Sequence, residues 1–407
     1  MFEYGCIFLL CFIVVFIAGV ATGDPLRVSY DDDGMVTVNG ERTLIIGSYY
    51  AAKSDAPYAE LAEAGFNLVR TGNDPAKMDQ AHSAGLWTWC SVGTLDLDNR
   101  QASAEKLLEA VNSVKDHPAL LFIETVDEPA WKWMEAVQRV PAEAFAEAYP
   151  LIKEADPNHL LYINHAPTNL VKTMRPYNAG TDVVAMDIYP VNPGGLKHMY
   201  ALFADGRQGD LNNEHISQVG EYVDKMRRVT GPDRPLMMVL QGFAWEMLVD
   251  ETIRRQEKIL FPTYAQSRFM AFQSLIKGAN GIIYWGTHTT PQPSQTWSDL
   301  KRVVREVADL AQPLAERAAD VDLEIDYHEM GHSVDTGVQV LVKDWAGDRY
   351  VFTCNADKNI CKATLSGLGD WRLCSVLYEA DRDVSIEKDA LTDVWLRFDV
   401  HVYKLSR

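Results

Sequence analysis

The 407-residue sequence lacks most of the short motifs that identify metal-binding and cofactor-binding proteins. It contains no Cys-x-x-Cys pair and no Cys/His spacing of the kind that binds zinc. The glycine-rich turn that binds the phosphates of nucleotide cofactors is also missing. There are no internal repeats and no low-complexity linkers. We therefore expect a globular protein that carries neither a metal nor an organic cofactor.

Positively charged residues are scarce in this chain. It has 38 Lys and Arg residues against 57 Asp and Glu residues, which gives a net charge of −19. This charge repels nucleic-acid phosphates and anionic lipid headgroups, so it argues against nucleic acid and membrane surfaces as partners. A soluble protein with an acidic surface is the simplest interpretation.

The N-terminal segment is apolar over residues 6–20, and small residues follow up to Gly23. This pattern predicts a secretory signal peptide, residues 1–23, that is cleaved after Gly23. We therefore expect a secreted or periplasmic protein. The segment contains Glu3 and no Lys or Arg, which departs from a typical signal peptide. An uncleaved N-terminal membrane anchor is therefore the alternative.

Cleavage at that point would leave four cysteines in the mature chain: Cys90, Cys354, Cys361 and Cys374. An exported protein is able to form disulfides. Cys354 and Cys361 flank a short polar segment that is typical of a hairpin loop, so a bridge between them is one interpretation. Buried free thiols are the other interpretation, and the sequence favours neither.

Short apolar or β-branched runs alternate with longer amphipathic stretches through most of the chain. Strands that are apolar on both faces and alternate with helices are typical of a parallel sheet covered by helices. Eight such units predict an α/β fold, a (β/α)₈ TIM barrel, over residues 24–317. An open doubly wound sheet is the alternative, but it usually carries the glycine-rich turn that is missing here. The predicted strands are 43–49, 66–70, 86–92, 120–125, 160–165, 183–189, 236–241 and 281–286.

The segments on either side of the predicted barrel strands have the alternation of antiparallel sheets. Residues 26–47 predict a hairpin that leads into the first barrel strand, with Asn39-Gly40 as its two-residue turn. Residues 318–407 contain alternating strands separated by turn residues and no helical run. This region predicts a small C-terminal all-β sandwich domain.

Three carboxylates follow the fourth predicted strand, in the sequence LFIETVDEPAW (121–131). In a TIM barrel the functional residues lie where the strands end, so Glu124, Asp127 and Glu128 become candidates. Crowded carboxylates repel one another, and one of them is pushed toward its protonated form. A carboxyl group that is neutral near pH 7 can donate a proton to a leaving oxygen, and we assign this role to Glu128. Salt bridges or helix caps are the structural alternative, and Asp127 is expected to support Glu128 or to contact a ligand.

Aromatic and polar residues follow the other predicted strands. A sugar ring stacks its apolar face on an aromatic ring, while carboxylates, amides and imidazoles bind its hydroxyls. Ordinary core packing is the alternative for the rings, and a structural role is the alternative for a single His. The candidates for substrate contact are Tyr49, His165, Tyr189, Gln241, Trp245 and Trp285, and Asp187 is the candidate second carboxylate.

These motifs, in this order, resemble those of the clan A glycoside hydrolases. VTVNGERTLIIGSYY (36–50) is similar to the entry of the first strand, and GANGIIYWG (278–286) is similar to the last strand. VDEP (126–129) resembles the Asn/Asp-Glu-Pro motif whose Glu is the acid/base, and DVHVYKL (399–405) resembles the final strand of the following β-sandwich. The resemblance implies a retaining glycosidase with Glu128 as acid/base and Trp285 in a sugar subsite.

One position departs from the family pattern. Clan A enzymes carry a nucleophilic Glu at the end of the seventh strand, where this chain has Gln241. An amide cannot be the nucleophile. Another carboxylate (Asp187, Glu124 or Glu246) would replace it, or the reaction would need no enzyme nucleophile because it is a single displacement or uses the substrate's own acetamido group. The third alternative is a catalytically inactive carbohydrate-binding protein.

The sequence as a whole predicts an exported glycoside hydrolase that acts on a poly- or oligosaccharide. Glu128 is its predicted acid, Asp187 its second carboxylate, and the other candidates bind the substrate. The long segment 190–213 after the sixth strand is predicted either to shape specificity or to be a surface insertion.

Overall fold

The structure is a computed structural model, and it describes residues 25–132, 137–193, 213–380, 382 and 384–407. The predicted signal peptide (1–23) and most of the predicted specificity segment (190–213) lie outside these residues. Within the described part of the chain, no helix is both long and apolar enough to cross a membrane.

A small antiparallel sheet precedes the barrel and consists of β1 (Val28–Tyr30), β2 (Val36–Val38) and β3 (Glu41–Arg42). Asn39 and Gly40 connect β2 to β3 with φ angles of 52° and 89°. Gly and Asn tolerate this left-handed region better than other residues do, so the predicted hairpin turn is confirmed. Val28 and Val36 pack on the apolar interior of the barrel, which places the sheet over the end where the barrel strands begin.

Eight parallel strands close into a barrel, as predicted from the sequence. Around the barrel they follow chain order, and the eighth strand pairs with the first and the seventh. The observed bounds differ from the predicted ones by no more than two residues. The strands are β4 (Ile45–Ser48), β5 (Leu68–Arg70), β6 (Trp87–Ser91), β7 (Leu120–Glu124), β8 (Leu160–His165), β9 (Val183–Ile188), β10 (Leu236–Gln241) and β11 (Gly281–Trp285).

Helices follow the barrel strands and cover the outside of the sheet. Several begin at the signals expected for helix N-termini: Asp74 caps the second helix before Pro75, and Thr263 with Gln266 forms a capping box on the seventh. The helices are α1 (Pro57–Ala64), α2 (Pro75–Ser83), α3 (Arg100–Val114), α4 (Ala142–Ala155), α5 (Val171–Met174), α6 (Gln218–Thr230), α7 (Tyr264–Ile276), α8 (Gln295–Asp309) and α9 (Ala311–Ala315).

Side chains along each barrel strand alternate between two apolar layers. On β8, Tyr162 belongs to the layer inside the barrel, whereas Ile163 belongs to the layer between the barrel and its helices. On β10 the same division separates Val239 from Leu240. Both layers are apolar, which explains why the strands are near-continuous apolar runs in the sequence.

The C-terminal region forms two four-stranded antiparallel sheets, which fit the predicted β-sandwich. Residues 393–407 contribute to two strands, because the chain turns at Leu396–Asp399, where the Asp399 N–H bonds to the Leu396 carbonyl (3.2 Å). The strands are β12 (Glu324–His328), β13 (Val338–Trp345), β14 (Asp348–Asn355), β15 (Cys361–Ser366), β16 (Leu373–Leu377), β17 (Ile386–Glu387), β18 (Ala390–Trp395) and β19 (Val400–Ser406).

The four cysteines of the described chain are free thiols. Cys354 and Cys361 lie in different sheets of the sandwich, on β14 and β15. The Cys354 thiol contacts Oε1 of Gln339 (3.7 Å), and the Cys361 thiol contacts Oδ1 of Asn355 (3.4 Å). Of the two interpretations, the structure therefore has the free thiols and not the bridge.

Candidate active site

The last inward-facing positions of the barrel strands form a ring at the C-terminal end of the barrel. They carry large or polar side chains, whereas the inward positions below them are mostly apolar. This ring is where a TIM barrel builds its functional site. In strand order its members are Tyr49, Arg70, Ser91, Glu124, Asn164, Asp187, Gln241 and Trp285.

A cavity of about 230 Å³ opens at this end of the barrel. It contains seven of the nine side chains that the sequence predicted for the site: Tyr49, Asp127, Glu128, Asp187, Tyr189, Trp245 and Trp285. Its remaining described lining is Trp131, Asn164, Ala166, Pro167, Thr168 and Leu248. The two predicted residues outside the lining are His165 and Gln241. Residues from six different strand ends thus converge on one pocket, which no single sequence motif could show.

Glu128 is held in an unusual backbone conformation beside the cavity. Its φ is 45°, in the left-handed region that non-glycine residues rarely adopt. Pro129 follows it, and a proline disfavours the right-handed helical region for the residue before it. The Glu128 N–H donates a hydrogen bond to the Asn164 carbonyl (3.0 Å), which ties the loop after β7 to the end of β8. Backbone strain of this kind persists where the surrounding structure enforces it, and it is frequent at functional sites.

The carboxyl groups of Glu128 and Asp187 are hydrogen-bonded to each other. Burial, with the neighbouring charge of Asp127 as the next cause, raises the pKa of Glu128 to about 7. Burial and the charge of Glu128 raise the pKa of Asp187 well above its usual value. Two hydrogen-bonded carboxyls cannot both be ionised cheaply, so the pair shares one proton near neutral pH.

Asn164 connects the three carboxylates that line the cavity. Its Nδ2 donates to Oδ1 of Asp127 (3.0 Å) and to Oδ1 of Asp187 (3.3 Å), and its carbonyl accepts the Glu128 N–H. Its Oδ1 is buried and has no hydrogen-bond partner among the described residues, and the same is true of Oγ1 of Thr168. Sequence reasoning missed both residues. The inward position of Asn164, two residues after Tyr162 on β8, is the signal that could have identified it.

His165 does not reach the cavity. It is the outward neighbour of Asn164 on β8, is fully buried, and lies 5.5 Å from the Tyr177 ring. Neither ring nitrogen has a hydrogen-bond partner among the described residues. Burial lowers the pKa of His165 to about 3, so the ring is neutral at ordinary pH. The structure therefore does not support the predicted contact between His165 and a sugar hydroxyl.

Gln241 lies on the inward side of β10, but its amide is used entirely within the protein. Its Oε1 accepts the Val191 N–H (2.9 Å), and its Nε2 donates to the carbonyls of Val191 (2.7 Å) and Phe243 (3.0 Å). The side chain is fully buried and ties the end of β10 to the segment after β9. This arrangement leaves no room for a ligand, so the predicted hydroxyl contact of Gln241 is not supported either.

Two further carboxylates considered as nucleophiles are also engaged elsewhere. Glu124 is buried, accepts a hydrogen bond from Nε of Arg70 (3.0 Å) and another from Oγ of Ser91. Glu246 is buried and pairs with Nε of Arg255 (3.0 Å). Neither lines the cavity. Asp127, Glu128 and Asp187 are therefore the acidic side chains that line it within the described chain.

Aromatic rings form the wall of the cavity opposite these acids. The rings of Tyr189 and Trp285 are stacked, with centroids 5.5 Å apart and an angle of 24° between their planes. Trp245 meets Tyr189 edge to face at 6.0 Å, and its Nε1 donates to the Tyr189 carbonyl (3.1 Å). Tyr49 lies deeper, with its hydroxyl 3.3 Å from that of Tyr162. One wall of the pocket is thus flat and apolar, and its base is acidic.

Among the described residues, no group of three or more His, Cys, Asp and Glu side chains could hold a metal ion. The acidic cluster of the cavity is connected by hydrogen bonds among its own members and Asn164.

The whole chain was compared with known proteins. No family model and no curated protein matches it. Among solved structures it is similar to a glycoside hydrolase family 5 protein from Bacteroides vulgatus (TM-score 0.58, 12% identity, 94% of this chain and 93% of that one). It is also similar to an α-amylase from Geobacillus thermoleovorans (TM-score 0.56, 12% identity, 90% and 100%). A family 30 xylanase from Clostridium acetobutylicum is a third similar structure (TM-score 0.50, 8% identity, 94% and 98%).

At sequence identities of 8–12%, the similarity to these structures shows a shared fold. It extends over at least nine-tenths of this chain in each case, so it includes both the barrel and the C-terminal sheets. The predicted fold class, a (β/α)₈ barrel followed by a β-sandwich, is therefore confirmed, and it is a fold that these glycoside hydrolases also have.

Proposed function

We propose that this protein is an exported glycoside hydrolase in which Glu128 is the general acid. The observation that carries the proposal is the state of Glu128. Its pKa is raised to about 7 by burial and by Asp127, and it is hydrogen-bonded to Asp187 at the base of a cavity with an aromatic wall. A carboxyl group that still holds its proton near neutral pH can protonate a departing glycosidic oxygen.

The cavity offers the two kinds of surface that a sugar ring needs. The stacked rings of Tyr189 and Trp285 present an apolar face for the C–H side of the ring. On the side of β8, Oδ1 of Asn164 and Oγ1 of Thr168 are buried, and neither has a hydrogen-bond partner in the part of the chain that the structure describes. A sugar hydroxyl at either atom would satisfy a polar group that is otherwise costly to bury.

Export of this enzyme follows from the predicted signal peptide (1–23) and remains part of the proposal. The substrate would then be a glycan outside the cytoplasm. N-terminal sequencing of the protein recovered from the producing cells tests this point. A mature chain that starts at Asp24 supports export with cleavage after Gly23. Retention of residues 1–23 would support the uncleaved anchor.

An activity screen on a glycan library tests the function, with Glu128→Gln as the decisive variant. General acid catalysis typically contributes about 10²–10⁴-fold, so Glu128→Gln should lower kcat/KM by about that factor. Glu143→Gln is the matched control, because Glu143 is an exposed carboxylate on α4, outside the cavity. We expect the control to keep the activity of the unmodified protein.

Two outcomes would contradict the proposal. Full activity of Glu128→Gln would show that another residue supplies the proton. Tight binding of a glycan with no hydrolysis by the unmodified protein would show a carbohydrate-binding protein that has the barrel but not the chemistry.

A further inference from the structure

The acidic residues of the cavity all lie on one side of it. Asp127 and Glu128 follow β7, Asp187 lies on β9, and β8 with Asn164 runs between them. Across the cavity, β10, β11 and the segments that follow them contribute Trp245 and Trp285. Among the described residues, that opposite side has no carboxylate in the lining.

This one-sided arrangement conflicts with both common ways of cleaving a glycosidic bond. Retention by an enzyme nucleophile needs two carboxyls about 5–5.5 Å apart, and inversion needs about 6.5–9.5 Å to admit a water. Glu128 and Asp187 are in direct hydrogen-bond contact, which is closer than either arrangement. Two groups that touch cannot lie on opposite faces of a sugar ring. Asp187 is therefore badly placed to attack the carbon that Glu128 helps to release.

The end of β10, where clan A enzymes carry their nucleophile, does not supply one here either. Gln241 occupies the end of β10, and its amide is committed to the backbone of Val191 and Phe243. Glu124 and Glu246 are held by Arg70 and Arg255, away from the cavity. Because no carboxylate of the described residues lines that part of the cavity, we infer that a group attacking from the face opposite Glu128 arrives with the substrate.

We propose that the sugar cleaved at this site carries a 2-acetamido group, and that its carbonyl oxygen is the nucleophile. This inference rests on the proposed function and specifies its substrate class. In a β-glycoside of such a sugar the C2 group is trans to the departing oxygen, so the acetamido oxygen reaches C1 from the opposite face. Among the described residues, the cavity lining has no carboxylate on that face.

The first step can be written with every bond and proton accounted for. The acetamido oxygen forms a bond to C1 while the bond from C1 to the leaving oxygen breaks. Glu128 gives its proton to that leaving oxygen. Asp187 accepts a hydrogen bond from the acetamido N–H and takes its proton, so the product is a neutral bicyclic oxazoline. This step requires one proton on the pair, which is the number that two hydrogen-bonded carboxyls share.

The second step reverses the first with water as the incoming group. Glu128, now ionised, removes a proton from a water molecule that attacks C1. The C1–oxygen bond of the oxazoline breaks, Asp187 returns its proton to the nitrogen, and the acetamido group is restored. Glu128 and Asp187 end in their initial states, and the anomeric configuration is retained.

The apolar side of the cavity suits the methyl end of an acetamido group. The ring of Tyr189 lies 5.5 Å from that of Trp285 and 6.0 Å from that of Trp245, so the three rings give this part of the lining an aromatic carbon surface. A methyl group gains van der Waals contact on such a surface and has no hydrogen bond to water to lose.

Matched pairs of substrates test the inference directly. The assay compares aryl glycosides of N-acetylglucosamine and N-acetylgalactosamine, in both anomeric forms, with those of glucose and galactose, and it identifies the sugar released from each library member that is cleaved. We expect hydrolysis only of β anomers whose sugar at the cleaved C1 carries the acetamido group, because only there is that group trans to the leaving oxygen. Comparable kcat/KM on 2-hydroxy sugars would overturn the inference and leave the proposed glycosidase intact. Absence of hydrolysis on every substrate would overturn both.

Fluorination of the acetyl group of the substrate provides a second test of the inference. Fluorine withdraws electrons from the carbonyl oxygen and weakens it as a nucleophile, so kcat/KM should fall by about tenfold or more from the acetyl to the trifluoroacetyl substrate. A value that does not change would show that this oxygen takes no part in bond formation. A thiazoline analogue of the oxazoline should bind more tightly than substrate, and Asp187→Asn should weaken that binding. Equal binding by both proteins would overturn the role of Asp187.

Discussion

At the scale of single residues, the chemistry of Glu128 is set by its chain neighbours and by its neighbours in space. Pro129 removes the helical conformation from Glu128, and the Asn164 carbonyl holds its N–H. Its carboxyl group then lies against Asp187. The same contacts that raise the pKa of Glu128 also make it costly to ionise in the folded protein, which links the proposed role of Glu128 to stability.

This link predicts that Glu128→Gln makes the protein more stable at neutral and alkaline pH. The pKa of Glu128 rises from 4.5 to about 7 on folding, so the native state binds more protons than the unfolded state between these values. Stability is therefore lost as pH rises through this window. Removing the carboxyl should raise the free energy of unfolding at pH 8 by about 1–3 kcal/mol.

Urea denaturation at pH 4.5 and at pH 8 measures this effect. The variant and the unmodified protein should be of similar stability at the lower pH and should differ at the higher one. Glu143→Gln is again the control, since Glu143 is exposed and its ion pair with Arg100 (3.7 Å) is a surface pair that contributes little to stability. If Glu128→Gln is less stable than the unmodified protein at pH 8, the ionised carboxyl stabilises the fold and is not costly to bury.

At the scale of elements, β8 shows how a difference of one position along a strand decides which side chain faces the cavity. Asn164 and His165 are adjacent, but strand geometry sends them to opposite faces of the barrel wall. Asn164 contacts the carboxylates inside, whereas His165 packs against Tyr177 among the helices. Both residues lie at the end of a strand that the sequence predicted. Which of them belongs to the cavity depended on the direction of each side chain.

The position of His165 predicts an acid-labile fold. Its pKa falls from 6.5 to about 3 on folding, because the ring is buried and lies near Lys225, so the unfolded state binds more protons below pH 6.5. Stability should then be lost as pH falls, by about 2 kcal/mol at pH 5. His165→Leu removes the titrating group and should lose less stability between pH 7 and pH 5.

Denaturation curves at the two pH values, together with the activity of each protein, check this prediction. His332→Gln is the control, because His332 is exposed on a loop of the sandwich and its environment changes little on unfolding. The activity of His165→Leu should stay near that of the unmodified protein, since His165 does not line the cavity. An unchanged loss of stability toward pH 5 in His165→Leu would show that His165 is not the residue responsible.

At the scale of the whole molecule, the barrel and the C-terminal sheets share one apolar cluster. Tyr350, Phe352 and Val402 from the sheet of β13, β14, β16 and β19 pack in the same cluster as Phe269 and Met270 of α7. The opposite faces of those strands form the separate core of the sandwich. The C-terminal region therefore covers one side of the barrel, and we expect the two parts to unfold together.

Arg268 on α7 is the polar centre of this interface. Its Nε pairs with Oε2 of Glu306 on α8 (2.7 Å), and its Nη1 donates to the Val400 carbonyl at the start of β19 (2.6 Å). Both charged side chains are buried. A buried charge without its partner costs several kcal/mol, so Arg268→Met should lower the free energy of unfolding by about 3 kcal/mol.

Arg302→Met is the matched control, because Arg302 also contacts Glu306 (3.6 Å) but is largely exposed. We expect it to cost about 1 kcal/mol or less. Fluorescence and circular dichroism should report one coincident transition for each protein. Two separate transitions in the unmodified protein would contradict a shared core, and equal costs for the two variants would contradict the special role of Arg268.

The sequence by itself determined the eight strands, the barrel and the sandwich, and seven of the nine residues that it singled out line the cavity. It did so because strand ends in a barrel meet at one rim, so residues that follow apolar runs are brought together whatever their separation along the chain. Glu128 was predicted to be the acid because of its two chain neighbours, Asp127 before it and Pro129 after it.

Only the tertiary structure decided which of these residues face the cavity and what each one contacts. Gln241 and His165 lie at strand ends like the other predicted residues. The Gln241 amide, however, is hydrogen-bonded to the backbone of Val191 and Phe243, and His165 is buried between the barrel and its helices. The hydrogen bond between Glu128 and Asp187 joins side chains that are distant along the chain. Pairing of this kind depends on distances of a few ångströms between strands, and no pattern within one strand contains that information.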